Sequence, residues 1–160
     1  MQLNSEWPMA SVTSALKNLL LTSIKDQKTA IKAFTVTHDH PENISDTGKP
    51  NLNLYPFLVN EAAHLRNVSR SEKQNTMQDS RFEIHFLLSA TGDHTKLFPH
   101  MLLDSARKTI KATPVLALEE CNFSLKITSQ SLSIEASTMI WSALKCSHRI
   151  NIVLRVETVD

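Results

Sequence analysis

The sequence predicts an α+β (mixed α/β) domain: a single small sheet, mostly antiparallel, with about three helices packed on it. Three observations carry this reading. Apolar residues recur at helical spacing from Ser11 to Ile24 and again between Asp93 and Ala112. By contrast, Phe82-Glu-Ile-His-Phe-Leu-Leu-Ser-Ala and the segment from Ile150 to Val156 alternate with period two. The chain has 160 residues, enough for one core that buries about 70% of its unfolded surface without a disulfide or a metal.

The first helix carries its stripe on Val12, Ala15, Leu16, Leu19, Leu20 and Ile24, with Ser11 placed to cap it. Ile31-Lys-Ala-Phe-Thr-Val-Thr favours a strand through its β-branched content. His38 to Pro50 reads as a polar loop. Asn51 to Asn60 reads as a second strand, at an edge or bulged, because Pro56 has no ladder donor. Residues 67–80 read as a polar loop longer than ordinary connections, a mobile or binding loop rather than part of the core.

Arg81 to Ala90 is the third strand. Phe82, Ile84, Phe86, Leu88 and Ala90 share one face, with Arg81, Glu83, His85, Leu87 and Ser89 on the other. Thr91-Gly-Asp breaks it, and Asp93 caps a helix whose inner side is Leu97, Met101, Leu102, Ala106 and Ile110. Pro99 either kinks that helix or marks its first turn. Phe123, Leu125 and Ile127 alternate in a further strand. Ser133 starts a helix with Ile134, Ile140, Trp141 and Leu144 on one face, and a last strand closes the chain. The expected order is helix, three strands, helix, strand, helix, strand, in one domain over 1–160. Its core anchors are Trp141, Phe82, Phe86 and Leu144.

The composition excludes several functions. Seventeen Lys+Arg against 16 Asp+Glu give a net charge of +1, with no basic run to bind nucleic acid. The two glycines, Gly48 and Gly92, lie far apart, so no phosphate loop or dinucleotide fingerprint can be written. No serine is flanked by glycines as a nucleophile elbow requires. No apolar stretch approaches the ~20 residues of a membrane span. Cys121 and Cys146 belong to no CxxC pair and suit reduced thiols in a cytosolic setting.

His38-Asp-His40 with Glu42 lacks a third histidine at metal-site spacing, so a solvated strand end is the simpler reading. His85 with Glu83 would suit a general base, but no neighbouring nucleophile or oxyanion donor completes a site. Cys146 with His148 is half a ligand set. Asp104-Ser105 makes a triad only if geometry supplies it. Arg107, Lys108 and Lys111 offset a helix dipole. The expectation is a chain with no catalytic residue, no cofactor and no resident metal.

Three segments carry a resemblance. These are Leu52-Asn-Leu-Tyr-Pro-Phe-Leu-Val-Asn-Glu followed by Leu65-Arg-Asn; Phe82-Glu-Ile-His-Phe-Leu-Leu-Ser-Ala-Thr-Gly leading to a helix that ends before Thr113-Pro-Val-Leu; and Leu132-Ser-Ile-Glu with Ile140-Trp-Ser-Ala-Leu and the strand Arg149 to Val159. In this order they resemble the N-terminal domain of the cap, or tail-terminator, proteins of extracellular contractile injection systems of the antifeeding-prophage type. The likeness spans most of the chain, and the Trp141-Ser-Ala-Leu helix before the last strand is its most telling piece. The segment before Phe82 lacks the paired prolines of that pattern.

The resemblance implies a tail-terminator-like fold and a non-enzymatic role. Such proteins form a hexameric ring on the membrane-distal end of the tail, closing the inner tube and anchoring the last sheath layer. The implied partners are further copies of the chain, the inner tube protein and the sheath protein. Assembly is expected in the bacterial cytoplasm. Contacts are expected from the loop and the Pro56 strand, through Arg66, Asn67, Arg70, Lys73, Tyr55 and Phe57. Two alternatives stand beside it: a terminator or completion protein of a contractile phage, and a small enzyme or binding module using His85 and Glu83.

Overall fold

The computed structural model describes residues 8–27, 31–61, 82–121 and 123–159. Helix α1 (Pro8–Asp26) buries Ser11, Val12, Leu16, Leu20 and Ile24, the stripe expected from helical spacing. Ser11 is not its cap. The helix begins at Pro8, where a missing N–H costs nothing, and Ser11 is buried one turn in.

Among the described residues six strands follow: β1 (Thr35–Thr37), β2 (Asn51–Glu61), β3 (Phe82–Thr91), β4 (Val115–Leu118), β5 (Phe123–Gln130) and β6 (Asn151–Val159). They form one sheet in the order β1-β2-β3-β6-β5-β4. Only β1 and β2 run parallel; every other pairing is antiparallel. Helix α2 (Phe98–Ala112) lies between β3 and β4 in sequence, and α3 (Ile134–Ala143) between β5 and β6.

Further expectations need correction. The first strand covers only Thr35–Thr37, because it pairs only with Asn51–Asn53. β4 was not foreseen: Val-Leu-Ala-Leu has no polar alternation and becomes a strand by pairing with β5. Leu97 is not on the inner side of α2. It adopts a left-handed conformation (φ 57°) between a short 3-10 turn and the helix, and is 57% exposed. Ile134, placed with Trp141 on one face of α3, is 82% exposed. Asp93 does cap, but it caps the 3-10 turn His94–Lys96 by accepting from Thr95 N at 2.9 Å. Pro99 stands in the first turn of α2. Pro56 marks a bulge in β2, where the register to β3 shifts between Pro56 and Leu58.

The sheet is unequally covered. On one face α1 and α2 pack side by side over Leu52, Leu54, Ile84, Phe86, Leu88, Leu125, Leu154 and Val156, all buried in the main core with Phe82. Side chains alternate along a strand, so Leu87 and Val153 point the other way. There they meet Trp141 and Leu144 in a smaller cluster edged by Tyr55, Phe57, Ile140 and Cys146. Thus α3, which is short, is the one helix over the second face among the described residues, and the loop after β1 lies beside it through His40 on Tyr55.

Candidate interaction surface

Beyond the end of α3, the second face carries a charged group built by strand register. His85 on β3 lies opposite Arg155 on β6, and Glu83 lies opposite Glu157. Two carboxylates facing each other across a ladder repel. Arg155 resolves this by donating from Nε to Glu83 Oε2 at 2.7 Å and from its terminal nitrogen to Glu157. The second oxygen of Glu83 contacts His85 Nε2 in a short hydrogen-bonded pair, and the Phe57 ring meets the imidazole edge-on at 6.1 Å. Burial works to raise the Glu83 pKa, but hydrogen bonds from His85 and Arg155 outweigh it and hold the carboxyl below its ordinary value. The same bond, which Arg155 donates to Glu83, raises the pKa of Arg155. With both oxygens engaged, Glu83 is committed to an ion-pair network rather than poised as a base.

At the other end of this face, a buried arginine ties the loop after β1 to the start of β6. Arg149, its side chain 7% exposed, donates to Asp46 Oδ1 at 2.6 Å and to the carbonyls of Pro41 and Ile44 at 2.8 and 2.7 Å. Beneath that loop Asn51 and Asn53 bond the hydroxyls of Thr35 and Thr37. His40 spends Nδ1 on the backbone N–H of Glu42 and packs edge-on against Tyr55, with ring centroids 5.3 Å apart. His148 bonds Ser137 at 3.2 Å and leans on Trp141, while burial pushes the neighbouring Cys146 thiol up. Among the described residues no group of three His, Cys, Asp or Glu could hold a metal. No helix among them is long and apolar enough to cross a membrane.

The exposed apolar residues are peripheral. Ile134 and Met139 stand out from α3, Leu58 and Val59 from the end of β2, and Val115 from β4. Of the contact residues expected from sequence, Tyr55 and Phe57 are half-buried beside Trp141 rather than open, while Arg66, Asn67, Arg70 and Lys73, with the whole loop 67–80, lie outside the described residues. The four core anchors Trp141, Phe82, Phe86 and Leu144 are buried at 2%, 8%, 0% and 8% exposure. Sequence reading found Glu83 and His85 but missed Arg155, Glu157 and Arg149. The signal was present in the Arg-Val-Glu alternation of β6, yet only register shows what it faces.

The fold is shared with terminators of contractile injection systems. The solved PVC sheath/tube terminator of an extracellular contractile injection system, in its extended state, superposes with a TM-score of 0.67 at 12% identity over 94% of this chain. The anti-feeding prophage tube-terminating cap superposes with a TM-score of 0.63 at 10% identity over 93% of it. The match spans 56% and 54% of those two proteins, little more than half their length. Residues 11–160 match the model of the Pvc16 N-terminal domain family, and the chain belongs to that family. No curated protein matches it.

Proposed function

We propose that the chain is a structural terminator: it caps the membrane-distal end of a contractile injection system tail, ends the inner tube and anchors the last sheath layer as a hexameric ring. The observation that carries this reading is the family match over 11–160, joined to a fold shared with two tube-terminating proteins. The site chemistry agrees with it. Glu83 and His85 are locked to each other and to Arg155, an arrangement that stiffens a sheet face and leaves no free base. A ring needs unlike surfaces repeated by rotation, and a sheet with two open ends provides them. In this reading the loop residues Arg66, Asn67, Arg70 and Lys73 reach the ring neighbour or the tube rim, and Tyr55 and Phe57, half-buried on β2, border that contact. Such a protein is assembled in the bacterial cytoplasm with tube and sheath.

The test is assembly of tube and sheath proteins from the same genome with and without the chain. Tails of uniform length with a closed end in its presence, and ragged open tails in its absence, are expected. Equal length distributions in both cases would refute the proposal.

A further inference from the structure

The two ends of the sheet are guarded very differently. Edge strands are usually blunted by a lysine, a proline, a bulge or a covering element, because open N–H and C=O groups recruit other strands. Pro114 precedes β4, but Val115-Leu-Ala-Leu itself holds no lysine, proline or bulge and, among the described residues, pairs with β5 alone. Its open groups can be assigned. Ile127 donates to the Pro114 carbonyl at 2.8 Å, and antiparallel pairs alternate between bonded and non-bonded. Leu116 and Leu118, opposite Leu125 and Phe123, therefore bond β5, while Val115 and Ala117 aim their backbone groups outward. Val115 is also 55% exposed.

At the opposite end β1 covers β2 only at Asn51–Asn53. Pro56 and the bulge guard the middle of β2, but Leu58–Glu61 beyond them is exposed, with Leu58 and Val59 at 44% and 48%. Among the described residues no strand lies outside it. The free stretch is as long as β4. Counting through the pairings, β4 and β2 run in the same sense.

We propose that β4 of one copy pairs in parallel with the Leu58–Glu61 end of β2 of the next, so that successive subunits are joined head to tail through a continuous sheet. The occupant is a second copy because both halves of the joint are present on one chain, at opposite ends, with matching length and matching sense. A rotation about an axis along the strands preserves strand direction and repeats this joint around a ring. A two-fold axis would instead bring β4 against β4 antiparallel and stop at a dimer. The inference deepens the ring reading above and rests on it for closure, though the joint itself does not need tube or sheath.

The test uses one variant blocked at each end. Ala117→Pro removes an outward N–H while leaving the β5 ladder intact, since proline is tolerated where the N–H faces away from the sheet. Val115→Lys is a second block of the same edge should the proline variant not fold, and Leu58→Lys/Val59→Lys blocks the other. Wild type is expected to multimerise by light scattering, and each variant to remain a folded monomer. Mixing a β4 variant with the β2 variant leaves one open edge on each chain, so a one-to-one dimer is expected. A wild type that stays monomeric at every concentration, variants that multimerise like wild type, or a mixture that stays monomeric would each overturn the proposal. If blocked variants still form rings that cap tails, edge pairing fails and the terminator reading stands. If wild type multimerises through these edges but binds no tail, the terminator reading fails instead.

Discussion

Replacing Trp141 by Ala removes the largest side chain beneath α3. Trp141 is 2% exposed and packs with Leu87, Leu144 and Val153, edged by Tyr55, Phe57, Ile140 and Cys146. An indole buries about 200 Å², which at ~25 cal/mol per Å² sets an upper bound near 5 kcal/mol. Partial collapse of the neighbouring side chains around the remaining methyl brings the expected cost to about 3–5 kcal/mol. The indole Nε1 is buried and has no partner among the described residues. Trp141→Phe would therefore remove an orphan donor as well as some apolar area. These effects oppose each other, so the expected cost is below about 1 kcal/mol. Urea melts followed by circular dichroism measure both variants. Hydrogen exchange should show α3 losing protection first, because the main core lies on the other face of the sheet. Equal costs for the two variants would mean that the indole N–H, not packing, holds the helix. An Ala variant as stable as wild type would mean that α3 is anchored elsewhere.

Three further outcomes are expected. Arg155→Met leaves Glu83 facing Glu157 and should cost about 1 kcal/mol at neutral pH, after allowing for the partial exposure of Arg155. Because the folded-state pKa of Glu83 is depressed, its contribution is present above the ordinary carboxylate pKa and lost as pH falls through the depressed value. The gap between wild type and Arg155→Met should thus close in acid, and a gap that widens there would contradict the assignment. Arg149→Lys cannot keep all three directed bonds to Asp46, Pro41 and Ile44 and should cost about 2 kcal/mol, with the 38–50 loop losing exchange protection. Replacing residues 69–79 by a short Gly/Ser linker should leave a folded subunit that no longer forms rings, as native gels or negative-stain images would show.

The readable part of the fold was the part whose pattern has one cause. Each face of β3 packs a different layer, so strict alternation of Phe82, Ile84, Phe86 and Leu88 against Glu83 and His85 gave strand, faces and core together. Four apolar residues in β4 carry no period, and their state is decided by β5. In α3 the apolar content exceeds the surface available beneath it, so Ile134 and Met139 are left outside and a stripe drawn through Ile134 misplaces it. Half of the charged group was legible as Glu83 and His85 two residues apart. Its other half arrives from β6 through the His85–Arg155 register, a long-range pairing that local sequence does not encode. Arg149 was hidden for the same reason: its carboxylate and carbonyl partners lie more than a hundred residues earlier, at Asp46, Pro41 and Ile44.

Whether the chain terminates tails is answered most directly by locating it on one. Electron microscopy of purified particles carrying an epitope-tagged chain, decorated with gold-conjugated antibody, shows where each copy sits. Terminator placement predicts gold clustered at one end of every tail, on the end away from the target membrane, and none along the sheath. Label distributed along the particle, at the opposite end, or absent from particles that are otherwise complete would contradict it.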